Sequence, residues 1–245
     1  MLQDQFEYAK EKVVGTQRQR QGIGTLSEKT VHAVLKNYYA PDEDMHEFSI
    51  ENYVADIYTG TEIIEIQTRQ FYRMRDKLAA FLPLYPVTIV YPIPREKWLN
   101  LIDEESGEVF GRRKSPVKGT VYHVFPELYR IKMFLKDPNL KIRLVLMDME
   151  EYRRANNKSR KKRKDSVKLD RVPLCLIEET EIKGMQDYRQ FIPSQLTGTF
   201  TVKDFAKAAR IRQPLAQVTL NLLYYAEVVE RVGKQGNAWI YHVVF

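Results

Sequence analysis

The chain of 245 residues has a single cysteine, Cys175, and that scarcity removes two architectures at once. No intrachain disulfide can form, and no thiolate metal cluster can be assembled. Cys175 lies in the apolar run of residues 172–177, so a buried structural thiol is expected, and with it a reducing, cytoplasmic setting. No apolar run approaches the roughly 18 residues that a membrane span needs, so no membrane partner is expected. The opening MLQDQFEYAKEKVVG carries charges throughout and lacks the apolar core of a signal peptide. Gly22-Ile23-Gly24 is too short for a phosphate-binding loop and has no lysine in the P-loop position. His32, His46, His123 and His242 show no metal-ligand spacing, and nothing suggests a Ser/His/Asp hydrolase.

What remains is a well-supplied globular chain. An apolar share of 44% spread evenly suits a proper core, and the length allows one large domain or a medium one with a small companion. The net charge is +7, compatible with a polyanionic partner. Residues 153–164, RRANNKSRKKRK, concentrate eight basic residues in one polar segment without apolar periodicity. A solvated loop between strands is the plain reading. A phosphate-contacting loop is the sharper one, with Arg160, Lys161, Lys162, Arg163 and Lys164 as the contacts.

Residues 1–24 read as an N-terminal extension, helical at its start and basic at its end. Residues 25–39 carry Leu26, Val31, Val34 and Leu35 at helical spacing, with Thr25 or Ser27 as N-cap, and residues 41–44 stop the helix. Three strands are expected at 47–51, 53–58 and 61–68, with Gly60 at the turn between the last two. Thr68 is placed to cap a helix over 69–82, with Phe71, Met74, Leu78 and Phe81 inside and Arg69, Arg73, Arg75 and Lys77 around the rest. Residues 87–93, bounded by prolines, read as a strand buried on both faces. A hairpin or insertion around Ser106–Gly107, a helix over 126–135 and strands over 140–147 and 167–178 follow.

The acids on the second and third strands carry the chemistry. Asp56 shares a face with Val54 and Tyr58, and Glu65 shares one with Ile63 and Gln67. An acid in so apolar a strand needs compensation, and a divalent cation between two acids is one remedy. The alternatives are structural: Asp56 paired with Lys36 or an arginine, and Glu65 exposed at a sheet edge. Glu28 near a helix N-terminus is favoured by the dipole alone, and His32 is a helix-face residue.

The α-β-β-β-α-β order with Asp56 and Glu65-Ile66-Gln67 resembles the PD-(D/E)xK nuclease superfamily. The resemblance covers about residues 26–93, and more loosely the strands to about 181. It implies a restriction-endonuclease-like α/β core over residues 25–192 and metal-dependent hydrolysis of DNA. Asp56 and Glu65, with the main-chain carbonyl of Ile66, would hold one or two Mg²⁺ or Mn²⁺ ions, and Glu28 would complete the shell or bind a second ion. Gln67 stands where the family usually has lysine and would orient the attacking water by hydrogen bonding. Arg69 and Arg73 would contact the phosphate backbone. A symmetric double-strand cut would call for a homodimer.

From residue 193 the pattern changes. Thr201 with Asp204 three residues later resembles a capping box. Gln213-Pro214 opens a second helix, whose inner stripe is expected at Leu215, Val218, Leu222 and Leu223. Two strands around a glycine turn complete the chain. Residues 193–245 resemble a winged helix-turn-helix domain, which implies DNA contact by the second helix and the hairpin. Gln213, Gln217 and Asn221 would face the groove and Lys234 a phosphate. A DNA-binding protein without cleavage, or a docking module, has the same architecture.

Overall fold

The computed structural model describes residues 2–20, 30–103, 107–154 and 167–244. It is a mixed α/β protein with a large mixed sheet. Its helices are α1 (Leu2–Arg20), α2 (Thr30–Tyr39), α3 (Arg75–Phe81), α4 (Phe125–Arg130), α5 (Val202–Ala208) and α6 (Gln213–Tyr225). Its strands are β1 (His46–Ile50), β2 (Tyr53–Tyr58), β3 (Ile63–Ile66), β4 (Val87–Ile102), β5 (Val109–Lys114), β6 (Leu140–Arg154), β7 (Val167–Ile182), β8 (Phe200–Thr201), β9 (Val229–Gln235) and β10 (Ala238–Val243). One sheet runs β1-β2-β3-β4-β6-β7 with β5 on β4, and a second runs β8-β10-β9. Among the described residues no helix is long and apolar enough to cross a membrane.

Two compact units divide the chain. The first comprises Met1–Gly60, Pro92–Thr120 and Val145–Glu179. Within it α1 buries Phe6, Ala9 and Val13, spaced by three and four as one helix face requires. They meet the inner face of α2, where the rings of Phe6 and Tyr38 cross edge to face at 5.7 Å. Helix α2 ends at Tyr39 as expected, and its expected first turn falls on residues outside the described ones. β1 and β2 are antiparallel, and Ala55 and Ile57 alternate inward between the more exposed Val54, Asp56 and Tyr58. β5 folds back on the outer half of β4, confirming the hairpin near Gly107, whose φ of 71° suits only glycine without strain. Cys175 is half-buried rather than enclosed, because its stretch of β7 is covered only in part. Burial and the Asp148 carboxylate, 4.0 Å from Sγ, push its thiol up.

The second unit comprises Thr61–Tyr91, Val121–Leu144 and Thr180–Phe245. β3 is buried along its whole length and pairs in parallel with β4, Glu65 opposite Ile89 and Ile66 opposite Val90. The helix expected over 69–82 is shorter. Gln70 takes φ 60°, a 3₁₀ turn spans Phe71–Met74, and α3 begins at Arg75. Thr68 caps nothing here: the Phe71 N–H donates to Glu127 Oε2 at 2.9 Å, so an acid from α4 satisfies that helix-end donor. Phe71, Met74, Leu78 and Phe81 face inward as expected.

Strand β4 runs through Pro92 and Pro94 instead of ending there. It pairs with β3 over Val87–Val90 and with β5 from Trp98 onward, so both prolines lie between its two pairings on that ladder. The Val90 carbonyl accepts from Gln67 N, and counting by two puts the missing donors of Pro92 and Pro94 on that same edge.

At the C-terminal end Thr201 and Asp204 form the expected capping box. Gly236 turns the β9–β10 hairpin at φ 59°. The buried stripe of α6 is Ala216, Thr219, Leu220, Leu222 and Leu223, while Leu215 and Val218 are half-covered. The helix is rotated by about one residue from the expected facing. Rotation is possible because Thr219 can turn inward and donate to the Leu215 carbonyl at 2.9 Å.

Candidate functional site

In the first unit Asp56 is held by α2. Packing of Val31, Val34 and Leu35 leaves His32 directed at β2, and His32 Nε2 lies 3.1 Å from Asp56 Oδ2, both side chains 23% exposed. This imidazole is a structural partner of Asp56, and the buried ammonium of Lys36 reaches Glu47 at 3.0 Å. His32 is likewise more than a helix-face residue.

In the second unit Glu65 is only 5% exposed, which excludes a place at an open sheet edge. Its Oε2 accepts from Lys77 Nζ at 2.7 Å, and Lys77 also stands 5.7 Å over the Phe81 ring. A carboxylate this deep is costly unless a cation and hydrogen bonds meet it, and α3 delivers that cation. Gln67 is half-buried and its N–H donates to the Val90 carbonyl at 2.9 Å. Ile66 is buried beside it. Arg69 and Arg73 are exposed, Arg73 lying on the Tyr72 ring at 5.9 Å, and Arg69 precedes the helix instead of riding on it. Glu28 and the five cations Arg160, Lys161, Lys162, Arg163 and Lys164 lie outside the described residues.

Among the described residues no group of three or more His, Cys, Asp or Glu side chains could hold a metal ion. The donors that the resemblance assigns, two carboxylates and a main-chain carbonyl, are hard oxygens of the kind Mg²⁺ prefers. Each carboxylate also has a basic neighbour. On α6, Gln213 is exposed, while Gln217 Nε2 donates to Asn221 Oδ1 at 3.2 Å and Arg231 Nη2 reaches the same oxygen at 3.3 Å. Lys234 Nζ stands 4.3 Å over the Trp239 ring.

Sequence reasoning did not single out a second ionic centre in the first unit. Glu151, fully buried, accepts from Lys97 at 3.2 Å, from Arg171 at 2.9 Å and from Arg153 at 2.7 Å. Burial works to raise its carboxyl, but the bonds from Arg153 and Arg171 and the charges of Arg171 and Lys97 outweigh it, and the pKa falls to about 2. Arg95 forks onto Asp148 at 2.9 and 2.6 Å next to it. The available signal lay in β6, where Asp148 and Glu151 follow the apolar run of residues 144–147.

Residues 29–183 match the model of the family described as Domain of unknown function (DUF8091). The chain belongs to that family. The DUF8091 match takes in α2 and β1 through β7, hence Asp56, Glu65 and Lys77, and stops before α5 and α6. An uncharacterized protein of Treponema pallidum (strain Nichols) is 27% identical over 186 residues, covering 76% of this chain and 74% of that protein. No solved structure matches.

Proposed function

We propose that this DUF8091 protein is a metal-dependent DNA nuclease of the PD-(D/E)xK type whose C-terminal residues hold DNA as a winged helix. Several features support the reading. Helix α2, three strands, α3 and β4 follow in the family's order, β1 and β2 antiparallel and β3 and β4 parallel. The capped α5, the proline-opened α6 and the β9–β10 hairpin have the order of a winged helix.

The observation that carries the proposal is Lys77. The tripeptide ends in Gln67, which cannot supply positive charge, but the ammonium of Lys77 stands 2.7 Å from Glu65. It would take over the charge-stabilising task of the usual lysine, from the following helix instead of the strand. Bound Mg²⁺ or Mn²⁺ would lower the pKa of a water and neutralise charge on the phosphate. The resemblance would give the role of holding it to Asp56 and Glu65 and that of orienting the water to Gln67, and His32 Nε2 stands beside Asp56.

The test is cleavage of plasmid, branched and single-stranded DNA by the intact protein with Mg²⁺ or Mn²⁺, against EDTA. Lys77→Gln should lower the rate about a hundredfold and Glu65→Gln at least as much. No cleavage of any substrate with either ion, together with no calorimetric binding of the ions, would remove the nuclease reading. A second reading, DNA binding without cleavage, is favoured by the basic neighbour of each acid: His32–Asp56 and Lys77–Glu65 can serve as plain ion pairs.

A further inference from the structure

Arg231 centres a cluster that the cleavage chemistry leaves unused. Its guanidinium lies 4.5 Å from the Tyr224 ring centroid, 4.9 Å from Trp239 and 5.8 Å from Tyr241. Its Nη2 reaches Asn221, which ties β9 to the amide row of α6. Its Nε–H is buried and has no acceptor among the described residues. Lys234 covers the same indole from the hairpin tip. The nearest acid in sequence, Glu230, lies 3.6 Å from His242, and strand alternation turns it to the other face.

Rings can steady a hairpin without any charge, so stacking alone does not require this composition. A guanidinium kept among rings and one amide leaves its charge to be met by something outside the chain. Trp239 is 36% exposed and Tyr224 45%, both beside cations and amides. A matching ligand is flat and apolar on its face, hydrogen-bonding at its edge and anionic at its flank. A nucleotide in a single strand has all three properties, whereas in a duplex the base faces are already stacked.

We infer that the hairpin and α6 take up an unpaired base of single-stranded DNA next to a duplex, the base stacking on Trp239 and its phosphate meeting Arg231 and Lys234. The flexible Lys234 leaves the indole for the phosphate as the base takes its place. This deepens the DNA reading by naming the substrate as a duplex with a single-stranded tail, and it does not depend on cleavage.

The chain has two tryptophans, so Trp98→Phe leaves Trp239 as the sole tryptophan emitter in the full-length protein, selected by exciting at the red edge where tyrosine does not absorb. A duplex with an oligo-thymidine tail and the same blunt duplex are titrated in EDTA. The tailed duplex should quench Trp239 and bind about tenfold tighter than the blunt one. Trp239→Ala should abolish that preference while leaving blunt-duplex binding intact, and Trp239→Phe should retain most of it. Equal affinity for the two DNAs without quenching would overturn the inference while leaving duplex binding in place. No binding of either DNA would overturn it together with the DNA reading.

Discussion

Lys77→Met puts the weight placed on the Glu65–Lys77 contact to a thermodynamic test. The Glu65 side chain is 6% exposed and that of Lys77 20%. Removing one partner of a buried pair costs about 3–5 kcal/mol, because the other charge is left in a medium that solvates it poorly. Water reaches the lysine end, which argues for the lower bound, about 3 kcal/mol. For a chain of this size that corresponds to a fall in Tm of roughly 6–12 °C. The double variant Glu65→Gln/Lys77→Met removes both charges and should return to within about 1 kcal/mol of the parent, giving a coupling energy on the order of 2 kcal/mol. Urea unfolding followed by circular dichroism on the four proteins of the cycle measures it. A Lys77→Met cost below about 1 kcal/mol with no coupling would show that the carboxylate does not rely on this ammonium. The claim that Lys77 replaces the missing lysine would fall with it.

Three further outcomes follow from the same contacts. Glu151 has its pKa depressed to about 2, so its stabilisation is fully present above the ordinary value of 4.5 and is lost as the pH falls from there toward 2. The full effect would be about 3 kcal/mol, and screening at the partly exposed arginines reduces it to ~1–2 kcal/mol; acid denaturation of Glu151→Gln should lack this slope. Thr201→Ala removes an N-cap whose hydroxyl and N–H both contact Asp204 Oδ2, at 2.7 and 2.9 Å. It should cost about 1 kcal/mol in chemical denaturation. Gly119→Ala would set a Cβ 2.2 Å from the Pro94 carbonyl oxygen, which the Gly119 N–H now approaches at 3.1 Å. A loss of about 1–3 kcal/mol is expected, and a melting temperature equal to the parent's would contradict that close approach.

The elements were legible where local chemistry decides them. Alternation around Ala55 and Ile57, the largely apolar run of residues 87–90 that opens β4 and the Thr201–Asp204 cap all express contacts close in sequence. Where distant partners decide, local reading went astray. Nothing near Thr68 reveals that Glu127 will cap the following turn, and Gln70 gives no sign of its positive φ. The acids of the candidate site could be picked out because a carboxylate in an apolar strand is conspicuous. Their partners could not: Lys77 reads as one more basic residue on a helix, and His32 as one more polar one. Arg231 was hidden for the same reason, since its rings come from α6 and β10 and meet it only after the hairpin folds.

The two prolines of β4 bear on how the chain avoids its own wrong pairings. A strand of sixteen residues is a long template on which a neighbour can slip or a second molecule can dock. Between the stretch taken by β3 and the stretch taken by β5, Pro92 and Pro94 offer that edge no donors, and Gly119 occupies the Pro94 carbonyl. A strand from another molecule finds no N–H donor there, and β3 sliding toward the far end of β4 would lose ladder bonds at both prolines. The same interruption separates a parallel partner from an antiparallel one, so each finds its register against a closed boundary and not along a continuous track.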